Sequence, residues 1–162
     1  MTATASANPR LRPGLLLVAL DLLGLAVASY LSAVALSGEL PYCGPLHGCE
    51  TVAQSPYSRI AGVPVAVFGV VLSISLLMLA IAWIRSGRLA LLGAHYGLSL
   101  VGVVFEVYFT YLEVAVIGAV CVWCATYGLS LVARFVVALW VWLRRDRYAS
   151  GTGELSSRQT PA

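Results

Sequence analysis

Four cysteines, in two pairs, are the side chains of this sequence whose type and spacing most readily imply a reaction. Cys43 and Cys49 lie in a Gly/Pro-rich stretch, Y-C-G-P-L-H-G-C, and Cys121 and Cys124 form C-V-W-C inside an apolar run. Paired thiols exchange electrons through mixed disulfides, so two dithiols in one chain predict passage of reducing equivalents from one pair to the other. A C-x-x-C pair at a helix start puts both sulfurs on one face, within disulfide reach. The partial positive charge there favours the reactive thiolate. Val122 and Trp123 keep that pair in apolar surroundings. The loop pair encloses a short ring with Gly44, Pro45 and Gly48. A disulfide there restrains the unfolded chain by only about 2–2.5 kcal/mol, a modest gain for a permanent staple. The flanking glycines let the loop bend so that Cys49 approaches Cys121. The expected scheme is a shuttle: an outside dithiol is oxidised by Cys43–Cys49, which passes electrons to Cys121–Cys124. Three other readings use the same residues. Two static disulfides would do no chemistry. A zinc site would need four converging thiolates, with His47 able to replace one. A c-type haem is disfavoured because Ala125, not His, follows C-x-x-C.

The elements that must position these pairs are dictated by composition. The 162 residues are 60% hydrophobic and 10% charged, with mean hydropathy +0.89. Soluble domains carry about 25% charged residues, so an integral membrane protein is predicted. The net charge of +3 comes from arginine alone, and with no basic stripe outside the helix flanks nucleic-acid binding is not expected. Crossing the hydrocarbon takes about 20 apolar residues. That gives spans of about 14–37, 63–84, 90–113 and 119–143, an outer loop at 38–62, and a turn at Arg85, Gly87 and Arg88. The run from Leu89 to Leu143 would be roughly 80 Å as one helix, so it must fold back, near Glu113 to Gly118. The first apolar run is too long for a signal core of 7–15 residues and is read as a retained helix. Residues 1–13 form an N-terminal segment, and the Ser/Thr/Gly-rich tail 149–162 is expected to be disordered. Arg10, Arg12, Arg85, Arg88, Arg144, Arg145 and Arg147 all fall on one side of this four-span all-α bundle, against Arg59, Glu39 and Glu50, with Glu113 at the break, on the other. The positive-inside rule then puts both termini in the cytoplasm. Both cysteine pairs fall on the outer, oxidising face of a bacterial inner membrane. Electrons reaching Cys124 need an acceptor. With no nucleotide-binding fingerprint, the apolar two-electron carrier of a bilayer, a quinone, is left by elimination.

The ordered motifs G-C-E-T-V-A-Q-S-P-Y (48–57), G-V-P-V-A-V-F-G (62–69) and C-V-W-C (121–124), preceded by the loop cysteine, resemble the vitamin K epoxide reductase family in its bacterial form. The resemblance runs from about Leu15 to Leu143. It implies a four-helix bundle around a quinone, menaquinone or ubiquinone, capped by a short half-helix after the second loop cysteine. It also implies that Cys43 and Cys49 are the shuttle pair, that Cys49 exchanges with Cys121, and that Cys124 lies nearest the quinone. Ser55, Val65, Phe68 and Tyr127 are the pocket residues it implies. Animal members carry an Asn where this chain places apolar Val65. Tyr127 follows C-x-x-C one residue closer than in those members. Quinone reduction coupled to disulfide formation is therefore expected rather than epoxide reduction. Many bacterial relatives are fused to a thioredoxin-like domain. None is present in this sequence, which implies a separate thioredoxin-like or DsbA-like partner. A DsbB-type oxidase, the runner-up, carries its C-x-x-C pair in the first outer loop, and the order here is reversed.

Glu106, in the third span, is a candidate proton route. Asp21 and Arg134 also lie inside spans, where ionisable groups are costly and frequently functional. For Asp21 snorkelling or a bundle hydrogen bond is expected, and Arg134 is expected to snorkel or to pair with Asp21. His95 reads as structural, and His47 as an aid to thiol deprotonation. Tyr57, Tyr108 and Tyr111 read as outer-interface anchors, and Trp140 and Trp142 as an inner belt. Gly93, Gly97, Gly102 and Ser99 mark close helix packing.

Overall fold

Four runs of apolar residues become four long helices because, away from water, only a helix satisfies every backbone group within its own segment. The computed structural model describes residues 10–44 and 48–144. His47, Arg145, Arg147 and the tail 149–162 lie outside the described residues. Helix α1 is Leu11–Ser37, and a short helix α2, Gly48–Gln54, follows the loop. A two-residue hairpin pairs β1 (Arg59–Ile60) with β2 (Val63–Pro64) in the register Arg59↔Pro64 and Ile60↔Val63. Its turn residues, Ala61 and Gly62, both have positive φ (50° and 84°), the geometry that matches the twist of paired strands. Helices α3 (Val65–Ser86), α4 (Leu89–Tyr111) and α5 (Val122–Leu143) complete the chain.

All four long helices are long and apolar enough to cross a membrane. Helix α1 packs on α3 and α5, and α4 packs on the same two, so the four close into a ring. Glycines set the ends. Gly87 sits in the left-handed region at φ 66° and ends α3 by donating its N–H to the Trp83 carbonyl. The predicted spans at 63 and 119 begin earlier than α3 and α5. Val63 and Pro64 are taken up by the hairpin, and residues 119–121 run non-helically after Gly118. The chain breaks where the sequence predicted, between Glu113 and Gly118. Beyond Tyr111 the helix widens into a π-turn, Leu112–Ile117, before Gly118 (φ 71°) stops it. The short helix also differs from expectation: it begins at Gly48 and so contains Cys49, instead of starting after it.

The interior has three levels. At the end near the arginine-bearing turn, Leu17, Ala80, Trp83, Leu92, Ala138 and Val141 form an apolar core. In the middle, Asp21 pairs with Arg134 at 3.3 Å and with His95 at 3.3 Å, all three at most 1% exposed. Arg134 also donates to the Ser130 carbonyl (3.1 Å) and hydroxyl (2.9 Å). Gly24 leaves the room its guanidinium occupies. Of the two expectations for Arg134, pairing is the one seen, and His95 joins the pair. At the far end lie Cys43, Cys49 and Cys121. Outward, the helices present apolar chains such as Val71, Met78, Val104 and Leu129, as a lipid-facing surface requires.

Candidate active site

The loop disulfide and the helix that starts with C-x-x-C meet because two backbones approach closely. Gly48 lies against Val120, and any Cβ there would strike the Val120 carbonyl oxygen. The contact lets α2 dock on residues 119–121 and brings Cys49 (0% exposed) into one buried cluster with Cys43 and Cys121 (2% exposed). Cys43 and Cys49 are joined by a disulfide, whereas Cys121 and Cys124 carry free thiols. The loop is also held from the other side. Trp123, between the two helix cysteines, donates its indole N–H to the Tyr42 carbonyl at 2.9 Å. Its ring packs on Tyr30 at 4.8 Å between centroids.

Cys121 caps α5. Its sulfur accepts the Cys124 backbone N–H at 3.3 Å, and its own N–H donates to Glu113 Oε2 at 3.1 Å. The hydrogen bond from the Cys124 thiol holds the Cys121 thiol below its ordinary range. Burial pushes the other way, and backbone N–H groups of the first helical turn help to lower it. Thiolate character at this sulfur makes it the nucleophile and the leaving group of exchange. One carboxylate oxygen of Glu113 and the two sulfurs lie within 4.8 Å of one another. Glu113 is a site residue that sequence reasoning missed. It marked only the helix break, because the π-turn and Gly118 that fold its carboxylate back onto Cys121 leave no pattern in the sequence.

Behind the sulfurs a cavity of about 350 Å³ opens between the helices, within the usual range for small-molecule sites. Its wall is mostly apolar; Ser55, Glu106, Glu113, Tyr127 and the sulfurs of Cys121 and Cys124 are among its polar groups, and Glu39, Gln54, Ser58 and Arg59 also line it. Gly128, one turn beyond Cys124, leaves space that the Glu106 carboxyl fills. The Tyr127 hydroxyl donates to the Gly69 carbonyl (3.1 Å) and lies 3.3 Å from the Ser73 hydroxyl. Arg134 sits over the Tyr127 ring at 5.5 Å. Ser55 donates to the Val52 carbonyl at 2.8 Å at the rim.

The residues singled out from sequence fall unevenly around this cavity. Cys49, Cys121, Cys124, Ser55, Val65 and Tyr127 line it, and Cys43 lies behind Cys49. Phe68 does not: it is half exposed on the outer surface of α3. With about 100° per residue, Val65, Gly69 and Ala66 span a stripe of roughly 100° and Phe68 falls about 60° outside its Val65 edge. Of the tyrosines read as interface anchors, Tyr57 lines the cavity, whereas Tyr108 and Tyr111 are exposed. Trp140, read as part of an inner belt, is half exposed with Arg144 over its ring at 4.3 Å.

No curated protein matches the chain in a sequence search. The sequence pattern of the Vitamin K epoxide reductase family, by contrast, matches residues 15–139, most of the chain. That range takes in α3 and α4, most of α1 and α5, the loop disulfide and the C-V-W-C pair. This chain therefore belongs to the vitamin K epoxide reductase family, which is one of membrane oxidoreductases that act on thiols and use quinones.

Proposed function

We propose that the chain oxidises the dithiol of a separate thioredoxin-like or DsbA-like protein on the outer face of a bacterial inner membrane and delivers the electrons to a membrane quinone, menaquinone or ubiquinone. The single observation that carries this reading is the adjacency of two differently wired pairs. A loop disulfide is buried against Cys121, while Cys124 faces an apolar cavity large enough for a quinone head group.

The steps balance as follows. A partner thiolate attacks the Cys43–Cys49 disulfide, and resolution by its second thiol leaves the partner oxidised and both loop cysteines reduced. Cys49 thiolate then attacks the Cys121 sulfur of the Cys121–Cys124 disulfide, and Cys124 leaves as thiolate. Cys43 attacks Cys49 and frees Cys121. The loop is oxidised again and the inner pair carries the two electrons. The quinone supplies a two-electron, two-proton acceptor. Cys124 faces that acceptor, and closure of the Cys121–Cys124 disulfide completes the transfer. Glu113, beside both sulfurs, and Glu106, along the cavity wall, are the groups placed to hold and pass the two thiol protons. Ser55 and Tyr127 are placed to orient the acceptor, and the apolar wall excludes water. Among the described residues, Arg10, Arg12, Arg85, Arg88 and Arg144 at the end away from the cysteines support the orientation, with both termini cytoplasmic. Residues 14–148 would then form the membrane domain.

Two static disulfides are not favoured, because they would leave the apolar cavity that Cys121 and Cys124 line without a role. The test is Cys124→Ala in purified protein, with quinone reduction followed optically and partner thiols counted. Activity should vanish with helical content unchanged. Retained quinone-dependent oxidation would refute the relay. Mass spectrometry of lipids co-purified in mild detergent identifies the quinone.

A further inference from the structure

One feature of the inner pair serves a purpose other than electron transfer. With Cys43 and Cys49 joined, the sulfurs that remain free are those of Cys121 and Cys124, and a carboxylate oxygen of Glu113 lies within 4.8 Å of both. We propose that these three residues form a binding site for a thiophilic divalent cation of the zinc class. It exists only while the inner pair is reduced, and its occupancy withholds both thiolates from oxidation.

The donor set sets the class of ion. Two thiolates and one carboxylate suit zinc or cadmium, whereas magnesium and calcium take oxygen ligands. Three protein ligands with a fourth position left open is the arrangement of exchangeable zinc sites. Here the open position faces the cavity that Cys121, Cys124 and Glu113 all line. The ligands are already oriented by second contacts, as metal ligands generally are. The Glu113 carboxylate is pinned by the Cys121 N–H at 3.1 Å and the Cys121 sulfur by the Cys124 N–H at 3.3 Å. Glu113 and Cys121 are 6% and 2% exposed, so the negative charge the ligands take on when they give up their protons to the ion has little water around it, and the divalent cation offsets it. Binding moves no electrons: two S–H protons leave to solvent and two metal–sulfur bonds form. Forming the Cys121–Cys124 disulfide consumes both sulfur ligands and destroys the site. The cation and the electron acceptor therefore compete for the same two sulfurs, and a chain starved of acceptor is held in a protected, inactive form.

The proposal rests on the reading that Cys121 and Cys124 cycle between dithiol and disulfide, but its test needs no quinone, so the two can fail separately. Full-length protein in mild detergent is reduced, freed of reductant and titrated with Cd²⁺, following cadmium–thiolate absorption. One ion per chain is expected, retained in C43A/C49A and lost in C121A. Glu113→Gln should weaken binding by about tenfold or more, on the scale of losing a metal-site partner. X-ray absorption of the Zn²⁺-loaded wild type should show two sulfurs near ~2.3 Å and oxygens near ~2.0–2.2 Å, a measurement that stands even if the variant fails to fold. Zn²⁺ should also slow Cys121–Cys124 disulfide formation by a mild chemical oxidant. Four sulfurs around zinc, unchanged affinity in a folded Glu113→Gln protein, or oxidation unaffected by bound Zn²⁺ would each overturn it.

Discussion

Gly48→Ala should slow exchange between the two cysteine pairs and leave the rest of the molecule intact. A methyl group at residue 48 would be driven into the Val120 carbonyl oxygen, with the carbonyl carbon at 3.0 Å and the amide nitrogen at 3.2 Å. Carbon contacts settle at about 3.5–4.0 Å. Neither side can yield by rotating a side chain, because the obstacle is backbone. Helix α2 must therefore withdraw by on the order of 1 Å, carrying Cys49 away from Cys121. A misplacement of that size costs a reaction about 100-fold, or about 2.7 kcal/mol at 1.36 kcal/mol per tenfold. The assay uses a C43A/C124A background, in which Cys49 and Cys121 are the two remaining thiols. Their disulfide is formed under a mild oxidant and timed by gel shift and mass spectrometry. A Gly48→Ala protein of unchanged helicity that forms this bond at the parental rate would refute the argument that close backbone approach positions the exchange.

Three further outcomes follow from the geometry. Because the Cys124 thiol holds the Cys121 thiol down, the Cys121 thiolate should persist below the ordinary thiol range near 8.5. In a C43A/C49A protein its alkylation rate should fall only as pH drops through that lowered value, and Cys124→Ala should move the midpoint up; a midpoint indifferent to Cys124 would contradict this. Asp21→Asn leaves Arg134 buried without its carboxylate and should destabilise the bundle by about 3–5 kcal/mol, read as a lower Tm in detergent. The paired change Asp21→Leu with Arg134→Met should be milder than Asp21→Asn alone. Trp123→Phe keeps the ring on Tyr30 but loses the bond to Tyr42. It should cost about 1 kcal/mol and speed amide exchange in residues 38–44, and unchanged exchange there would count against the anchoring role.

The four helices and the meeting of the cysteine pairs were legible because both follow from strong, simple signals: runs of about 20 apolar residues, and sulfur in a chain that otherwise avoids polar side chains. The Asp21–Arg134 pair was legible for a similar reason, since two opposite charges inside lipid have few alternatives to each other. Other features depended on helical phase or on local backbone form. Phe68 sits in the same motif as Val65 and only about 60° from it around the helix, yet it falls just beyond the edge of the cavity-facing stripe and is half exposed. Glu113 reaches Cys121 only because six residues widen into a π-turn and Gly118 then reverses the chain, and side-chain identity does not announce either event. His95 joined Asp21 for a reason of depth: the two must lie at the same level of neighbouring helices, which counting residues fixes only to within a turn.

Trp123 has a consequence for how freely the two halves of the site can move. It is part of the first turn of α5, between the sulfurs of the inner pair, and it also grips the carbonyl next to Cys43. Any shift of that turn when the inner pair opens or closes is thus passed to the loop through a single rigid ring. A loop that swings out to meet another protein must first break that bond. The two halves behave as arms of one lever with the indole as its pivot, so in a protein whose other three tryptophans, Trp83, Trp140 and Trp142, are replaced by Phe its fluorescence gauges the lever's position.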